Sequence, residues 1–207
     1  PVQEVVFSDQ DPEAGYGTFT HYVNQAEDDV LFYADNLNGL WLYDAGVWTN
    51  TGILNNLAEA DVKFVMSHKD NVWFAVKDST VGYYLPLLSG TGDVSPQYFG
   101  DKFRHGGTLE GLFSWTVDGG DGVDDILVAV SHSGDVIMYT GSGPEGDDWG
   151  MKGIWFIGEI PNTPRFGTEQ GGELYLLSSF GVTSMNDLLK GVDTNTLQAG
   201  GSGTTMS

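Results

Sequence analysis

The residues best placed to do chemistry in this sequence are carboxylates. The run Asp118-Gly119-Gly120-Asp121-Gly122-Val123-Asp124-Asp125 sets four aspartates among three glycines, an oxygen-rich and pliable combination that suits a hard cation such as calcium. It lacks the Asp-x-Asp-x-Asp-Gly core and the twelfth-position Glu of an EF-hand loop. Asp and Gly also dominate tight turns for conformational reasons alone, so the segment reads as an acidic turn ahead of a buried strand. Glu145-Gly146-Asp147-Asp148 reads the same way. The histidines, His21, His68, His105 and His132, are never at the close spacing of metal ligands and read as surface or sheet-edge residues.

Nucleophilic catalysis finds no footing. There is no Cys and no Gly-x-Ser-x-Gly elbow; Gly141-Ser142-Gly143 and Gly201-Ser202-Gly203 sit in Gly-rich connections without a strand-to-helix context. Glycoside hydrolysis needs a pair of carboxylates, but 29 acidic residues offer many pairs and single out none. The Ser-x-Asp-x-Gly-x-Thr-Trp box of sialidase-type propellers is absent, as is a phosphate-cradling Gly-rich loop with a Lys. No catalytic, cofactor-binding or metal-binding residue is therefore assigned, no cofactor is expected, and the chain is expected not to be an enzyme.

The charge balance excludes one more class. With 29 acidic against 8 basic side chains the formal charge is −21, and Lys and Arg are too few to displace counterions along a nucleic-acid backbone. Lys63, Lys69, Lys77 and the group Lys102-Phe103-Arg104-His105 hold most of the positive charge, and are expected to pair with the acidic face of a neighbouring copy. No apolar run approaches the ~20 residues of a membrane-spanning helix. The start at Pro1 and the Gly-rich finish from Gly200 to Ser207 suggest a piece of something longer.

The elements that must position these residues come from a repeat. Thirty Gly, seven Pro and 13% aromatic residues favour short strands joined by tight turns. One pattern recurs: an alternating apolar run, a short polar turn, and a second run ending in an aromatic or Met. It is seen at 30–34 with 40–43, 72–76 with 81–84, 126–130 with 136–139, and 174–177 with 182–185. Ala34, Ala75, Ala129 and Leu177 are 41, 54 and 48 residues apart, the spacing of propeller blades of about 40–50 residues. His68 and His132 fall at comparable turn positions of the second and third units. The Trp residues at 41, 48, 73, 115, 149 and 155 are read as blade core rather than as a sugar site.

The fold expected is all-β, a β-propeller with about four four-stranded blades at 17–53, 62–103, 107–160 and 164–190, then a Gly-rich tail or linker at 191–207. For the second unit the strands expected are 62–67, 71–76, 81–86 and 97–103; for the third, 107–117, 125–131, 135–140 and 151–160. Sheets with two apolar faces must stack, and because the fourth unit stops short of a complete fourth strand, residues outside this chain are expected to complete a larger ring.

From Lys69 to Pro161 the sequence resembles a family of short-tailed bacteriophage virion proteins, the tail nozzle or tail hub (tail tubular protein B). The blocks that carry the resemblance are Lys69–Thr80 with Tyr84-Leu85-Pro86, Phe103–Gly107, Trp115–Asp125, Ser131–Gly141 and Ile157–Pro161. Gly82 departs from it, standing where a larger aromatic or β-branched residue is expected. The resemblance implies a propeller-bearing virion subunit repeated as a ring, usually a hexamer. Such a ring meets portal and adaptor proteins and tail fibres or spikes, and extends the channel that holds or releases packaged DNA. It implies no catalytic residue. A carboxylate-lined lumen would let duplex pass without sticking. A secreted carbohydrate-binding or glycoside-hydrolysing propeller is the alternative.

Overall fold

The computed structural model describes residues 16–118 and 123–190. The repeat becomes four antiparallel sheets, the blades of a four-bladed β-propeller, each a meander in which sequential strands pair. Blade 1 comprises β1 (Thr18–Val23), β2 (Asp29–Asp35), β3 (Gly39–Asp44) and β4 (Val47–Thr49). Blade 2 comprises β5 (Val62–His68), β6 (Asn71–Val76), β7 (Val81–Tyr84) and β8 (Ser95–Tyr98). Blade 3 comprises β9 (Leu109–Asp118), β10 (Val123–Ser131), β11 (Asp135–Thr140) and β12 (Gly150–Phe156). Blade 4 comprises β13 (Gly167–Gln170), β14 (Glu173–Ser178) and β15 (Gly181–Ser184), followed by the helix α1 (Met185–Leu189).

Several expected boundaries shift for physical reasons. Met185 opens α1 instead of ending a strand: the Ser184 hydroxyl accepts the Asp187 amide at 3.2 Å, an N-cap, while Met185 and Leu188 turn one buried face inward. The outer strand of blade 2 is 95–98 rather than 97–103. Pro96 is accommodated because β8 lies at the sheet edge, where a missing N–H breaks no ladder. The chain then turns, and Phe99 and Phe103, stacked with ring centres 6.4 Å apart, enter the core. Phe99 also explains Gly82: a Cβ there would stand 2.7 Å from the Phe99 ring, so the ring takes the space of the larger residue expected.

Three apolar layers hold the blades in series. Blades 1 and 2 share Phe32, Leu40, Val65 and Phe74; blades 2 and 3 share Phe64, Trp73, Leu109, Leu127 and Ile137; blades 3 and 4 share Trp115, Ile126, Val128, Leu174, Leu176 and Met185. The alternation follows from the pleat, which sends successive side chains to opposite faces. In β6 and β10 both faces meet a neighbouring blade, so runs such as Asn71–Val76 are buried throughout. Among the described residues no fourth layer joins blade 4 to blade 1. Phe19, Val23 and Tyr43 on the free face of blade 1, and Leu177 and Val182 on that of blade 4, are exposed.

At the hub the innermost strands run the same way. Val65 N donates to Thr18 Oγ1 at 2.9 Å, and the Thr20 and Ser67 hydroxyls bond at 2.9 Å, so β1 and β5 run side by side in parallel. Arg165, on the path into β13, donates from Nε to Gly17 O at 3.2 Å and lies 6.0 Å from the Tyr16 ring centre. The chain entering blade 1 thus touches the chain entering blade 4. Among the described residues no helix is long and apolar enough to cross a membrane.

Candidate functional site: the two mouths of the propeller

Because the innermost strands are parallel, their starts gather at one mouth and their ends at the other. The first mouth holds a cavity of about 780 Å3 lined by Tyr16, Asn36, Lys63, Lys77, Asp78, Thr108, Glu110, His132 and the 162–164 loop. Lys63 Nζ meets Glu110 Oε2 at 3.2 Å, both side chains nearly buried. His132 places Nδ1 3.7 Å from the same carboxylate and Nε2 3.4 Å from Glu159 Oε1. The Lys63–Glu110 pair fastens blade 2 to blade 3, with His132 beside it.

Just outside that mouth lies a second His–carboxylate contact. Asp135 is fully buried; its Oδ2 accepts the His105 amide at 2.6 Å and its Oδ1 lies 2.7 Å from His105 Nδ1. The His105 ring rests on Phe156, centres 4.0 Å apart. The connection from blade 2 to blade 3 is thereby clasped to the β10–β11 turn. Gly134 makes that turn possible: its φ is +94°, and a Cβ would collide with Gly158 O. The pairing joins residues 30 apart in sequence, and no local pattern announces it.

The second mouth opens into a groove of about 750 Å3 lined in part by His21, Tyr22, His68, Lys69, Asp70, Ser114, Asp125 and Ser142. Tyr22 donates its hydroxyl to Asp70 O at 2.6 Å; burial, with the Asp70 carboxylate nearby, pushes its pKa up to about 12. His68 Nδ1 lies 2.8 Å from Ser114 Oγ. The His68 ring is only 2% exposed and packs against Trp149 at 5.9 Å, so this Ser–His pair belongs to the interior rather than to an open site. Glu169 on β13 has its carboxyl raised by burial and, secondarily, by Asp125 of blade 3.

The sequence-based expectations meet these sites unevenly. Residues 119–122 of the 118–125 segment lie outside the described residues; Asp118 ends β9 and Val123 opens β10, on which Asp125 accepts the Thr116 hydroxyl at 2.7 Å. Among the described residues no three His, Cys, Asp or Glu side chains are grouped as metal ligands would be. The 145–148 turn is tied to the residues just before it: Asp148 accepts both the hydroxyl and the amide of Ser142, which holds its carboxyl below the usual range. His68 is buried, not a surface or edge residue, and it is not equivalent to His132: it closes β5 at the second mouth, whereas His132 follows β10 at the first. The lysines are engaged within the chain: Lys63 with Glu110, Lys69 with Gly141 O, Lys77 with Ala60 O at 2.7 Å, and Lys102 with Asp101 at 2.7 Å. Trp73 and Trp115 are core, Trp149 stacks on Tyr139 with ring centres 5.4 Å apart, and Trp41, Trp48, Trp149 and Trp155 are half-buried.

The two mouths differ in charge. Lys63, Lys77, Lys102, Arg104 and Arg165 all lie toward the first, among Asp35, Glu59, Asp61, Asp78, Asp101, Glu110, Asp135 and Glu159. The loops of the second carry Glu27, Asp28, Asp70, Asp93, Glu145, Asp147, Asp148 and Asp187, with Lys69, Lys152 and Lys190 as their cations. The second mouth thus carries a rim with more carboxylates than cations, which attracts cations and repels polyanions. Compared with known protein families and curated proteins, the sequence matches no family model and no curated protein.

Proposed function

We propose that this chain is a structural subunit of a short-tailed phage tail, a nozzle or hub component repeated as a ring, in which a hexamer extends the portal and adaptor channel. DNA passes through the lumen without sequence-specific binding. The observation that carries the reading is the position of the resembling segment: residues 69–161 run in order through blades 2 and 3, from the turn before β6 to just beyond β12. The acidic mouth supports it, because carboxylates repel a passing polyanion and leave no counterions to release. Of the tryptophans that a sugar-binding reading would use, Trp115 is core, and Trp73 and Trp149 pack on Tyr84, Tyr139 and each other.

The test is direct. Negative-stain images of the purified chain at high concentration should contain rings, and antibodies raised against it should label one end of virions. A protein that stays monomeric and is absent from phage particles overturns the proposal, as does turnover of a glycan substrate.

A further inference from the structure

The cavity at the first mouth is built by three blades and one connection. Asn36 comes from the β2–β3 turn, Lys63 from β5, Asp78 from the β6–β7 turn, Thr108 and Glu110 from the chain entering β9, and Asn162 from the connection into blade 4. Other polar turn residues at this mouth are saturated by the protein. Asp35 accepts the Leu37 and Asn38 amides, the Asn38 side chain and the Tyr33 hydroxyl, and Asp135 is held by the His105 amide and ring. The side chains of Asn36, Asp78, Thr108 and Asn162 face the cavity instead and make no hydrogen bond among the described residues.

We propose that this cavity binds a neutral, polyhydroxylated ring molecule, a mono- or disaccharide. Charge is the first argument. Lys63 and Lys77 line the cavity together with Glu110 and Asp78, so the formal charges of these side chains cancel, and Lys63 and Glu110 already hold each other at 3.2 Å. An anion would meet two carboxylates there and a net charge of −21 on the whole chain, and a cation would meet two ammonium groups. A neutral ligand meets neither repulsion.

Hydrogen-bonding capacity is the second. An ammonium carries three donors; Lys63 spends one on Glu110, and Lys77 one on the carbonyl of Ala60. With the carboxylates, the amides of Asn36 and Asn162 and the Thr108 hydroxyl, the wall sets donors beside acceptors. Hydroxyl groups answer that pattern because each both donates and accepts. Size and shape are the third. A volume of about 780 Å3 lies within the usual range of small-molecule sites. The Tyr16 ring, with Arg165 6.0 Å from its centre and still more than half exposed, offers an apolar surface to the C–H face of a sugar ring. The inference is of binding and not of hydrolysis, and it does not rest on the phage-tail reading: glycan turnover would overturn that reading, whereas binding without turnover leaves it untouched.

Nuclear magnetic resonance of the isotope-labelled chain tests it, with D-glucose, D-galactose, N-acetylglucosamine, maltose and lactose added in turn, and sodium phosphate separately. At least one sugar should shift the side-chain amides of Asn36 and Asn162 and the backbone amide of Thr108, saturably and at millimolar concentration or below. Asn36→Ala and Thr108→Val, each with an unchanged melting temperature, should weaken binding of that sugar by about tenfold, while Asp93→Asn at the second mouth should leave it unchanged. Where a variant does not fold, the shift map of the unaltered chain decides. No saturable shift with any of these sugars, shifts centred on the second mouth, a stronger effect of phosphate than of any sugar on the cavity residues, or undiminished binding in both folded variants overturns the inference.

Discussion

Asp135 illustrates how one side chain can set the position of a whole blade connection. It is buried and satisfied by the His105 amide and ring, with the Ser131 hydroxyl on its own amide. Removing the carboxylate leaves those donors facing the interior. Asp135→Ala should cost about 2–4 kcal/mol, read as a lower midpoint in urea, whereas His105→Ala, on the half-exposed side, should cost less. The two large core indoles give a sharper comparison. Trp115 Nε1 donates to Gly172 O at 3.1 Å, while Trp73 Nε1 is buried with no hydrogen-bond partner. Trp→Phe removes similar volume at both sites, but at 115 it gives up a hydrogen bond, whereas at 73 it removes a buried donor that has no partner. Trp115→Phe should therefore be worse than Trp73→Phe by about 1–2 kcal/mol, and equal losses in denaturant melts would contradict the assignment. Residues of this kind were hidden in the sequence because their partners are distant: His105 meets Asp135 and Lys63 meets Glu110 across 30 and 47 residues.

Among the elements, the strands were the legible part. The strands expected at 62–67, 71–76, 125–131 and 135–140 survive almost residue for residue, because runs of β-branched and aromatic residues bounded by turn residues are written locally, although Asn71–Val76 and most of 135–140 are buried on both faces rather than alternately. What escaped reading depended on competition between neighbours. Ser184 and Asp187 form a cap that converts an expected strand end into α1, and Phe99 fills the space over Gly82 that a larger side chain would need. Of the mouths, the acidic turns were visible but not their grouping at one end, which depends on the common direction of the innermost strands. Glu169 makes that grouping measurable. Its folded-state carboxyl is raised above the ordinary 4.5, so on raising the pH the unfolded chain loses this proton first. Its contribution to stability is therefore lost as pH rises from 4.5 through the folded value, and the penalty persists above it. Glu169→Gln should raise Tm slightly at pH 7 and leave it unchanged at pH 3. A gain that is the same at both pH values would show that charge is not the cause. In alkali, Tyr22 should ionise near pH 12 in an absorbance titration, because its hydroxyl is buried and bonded to Asp70 O.

At the scale of the whole molecule the net charge of −21 opposes every contact between copies. Ring formation should therefore be favoured by moderate salt, which shortens the Debye length to about 8 Å at 0.15 M; sedimentation in 20 mM and 300 mM NaCl should show more of the large species in the second. Duplex DNA should fail to shift with the protein at either salt. The unequal mouths add a property that net charge alone does not have. A particle more negative at one end than at the other has a direction, and on an amine-coated grid or an anion exchanger it should settle with the more acidic end down. Its images should then be dominated by views along the channel, and exchanging Asp147 and Asp148 for Asn and Glu145 for Gln should scatter them.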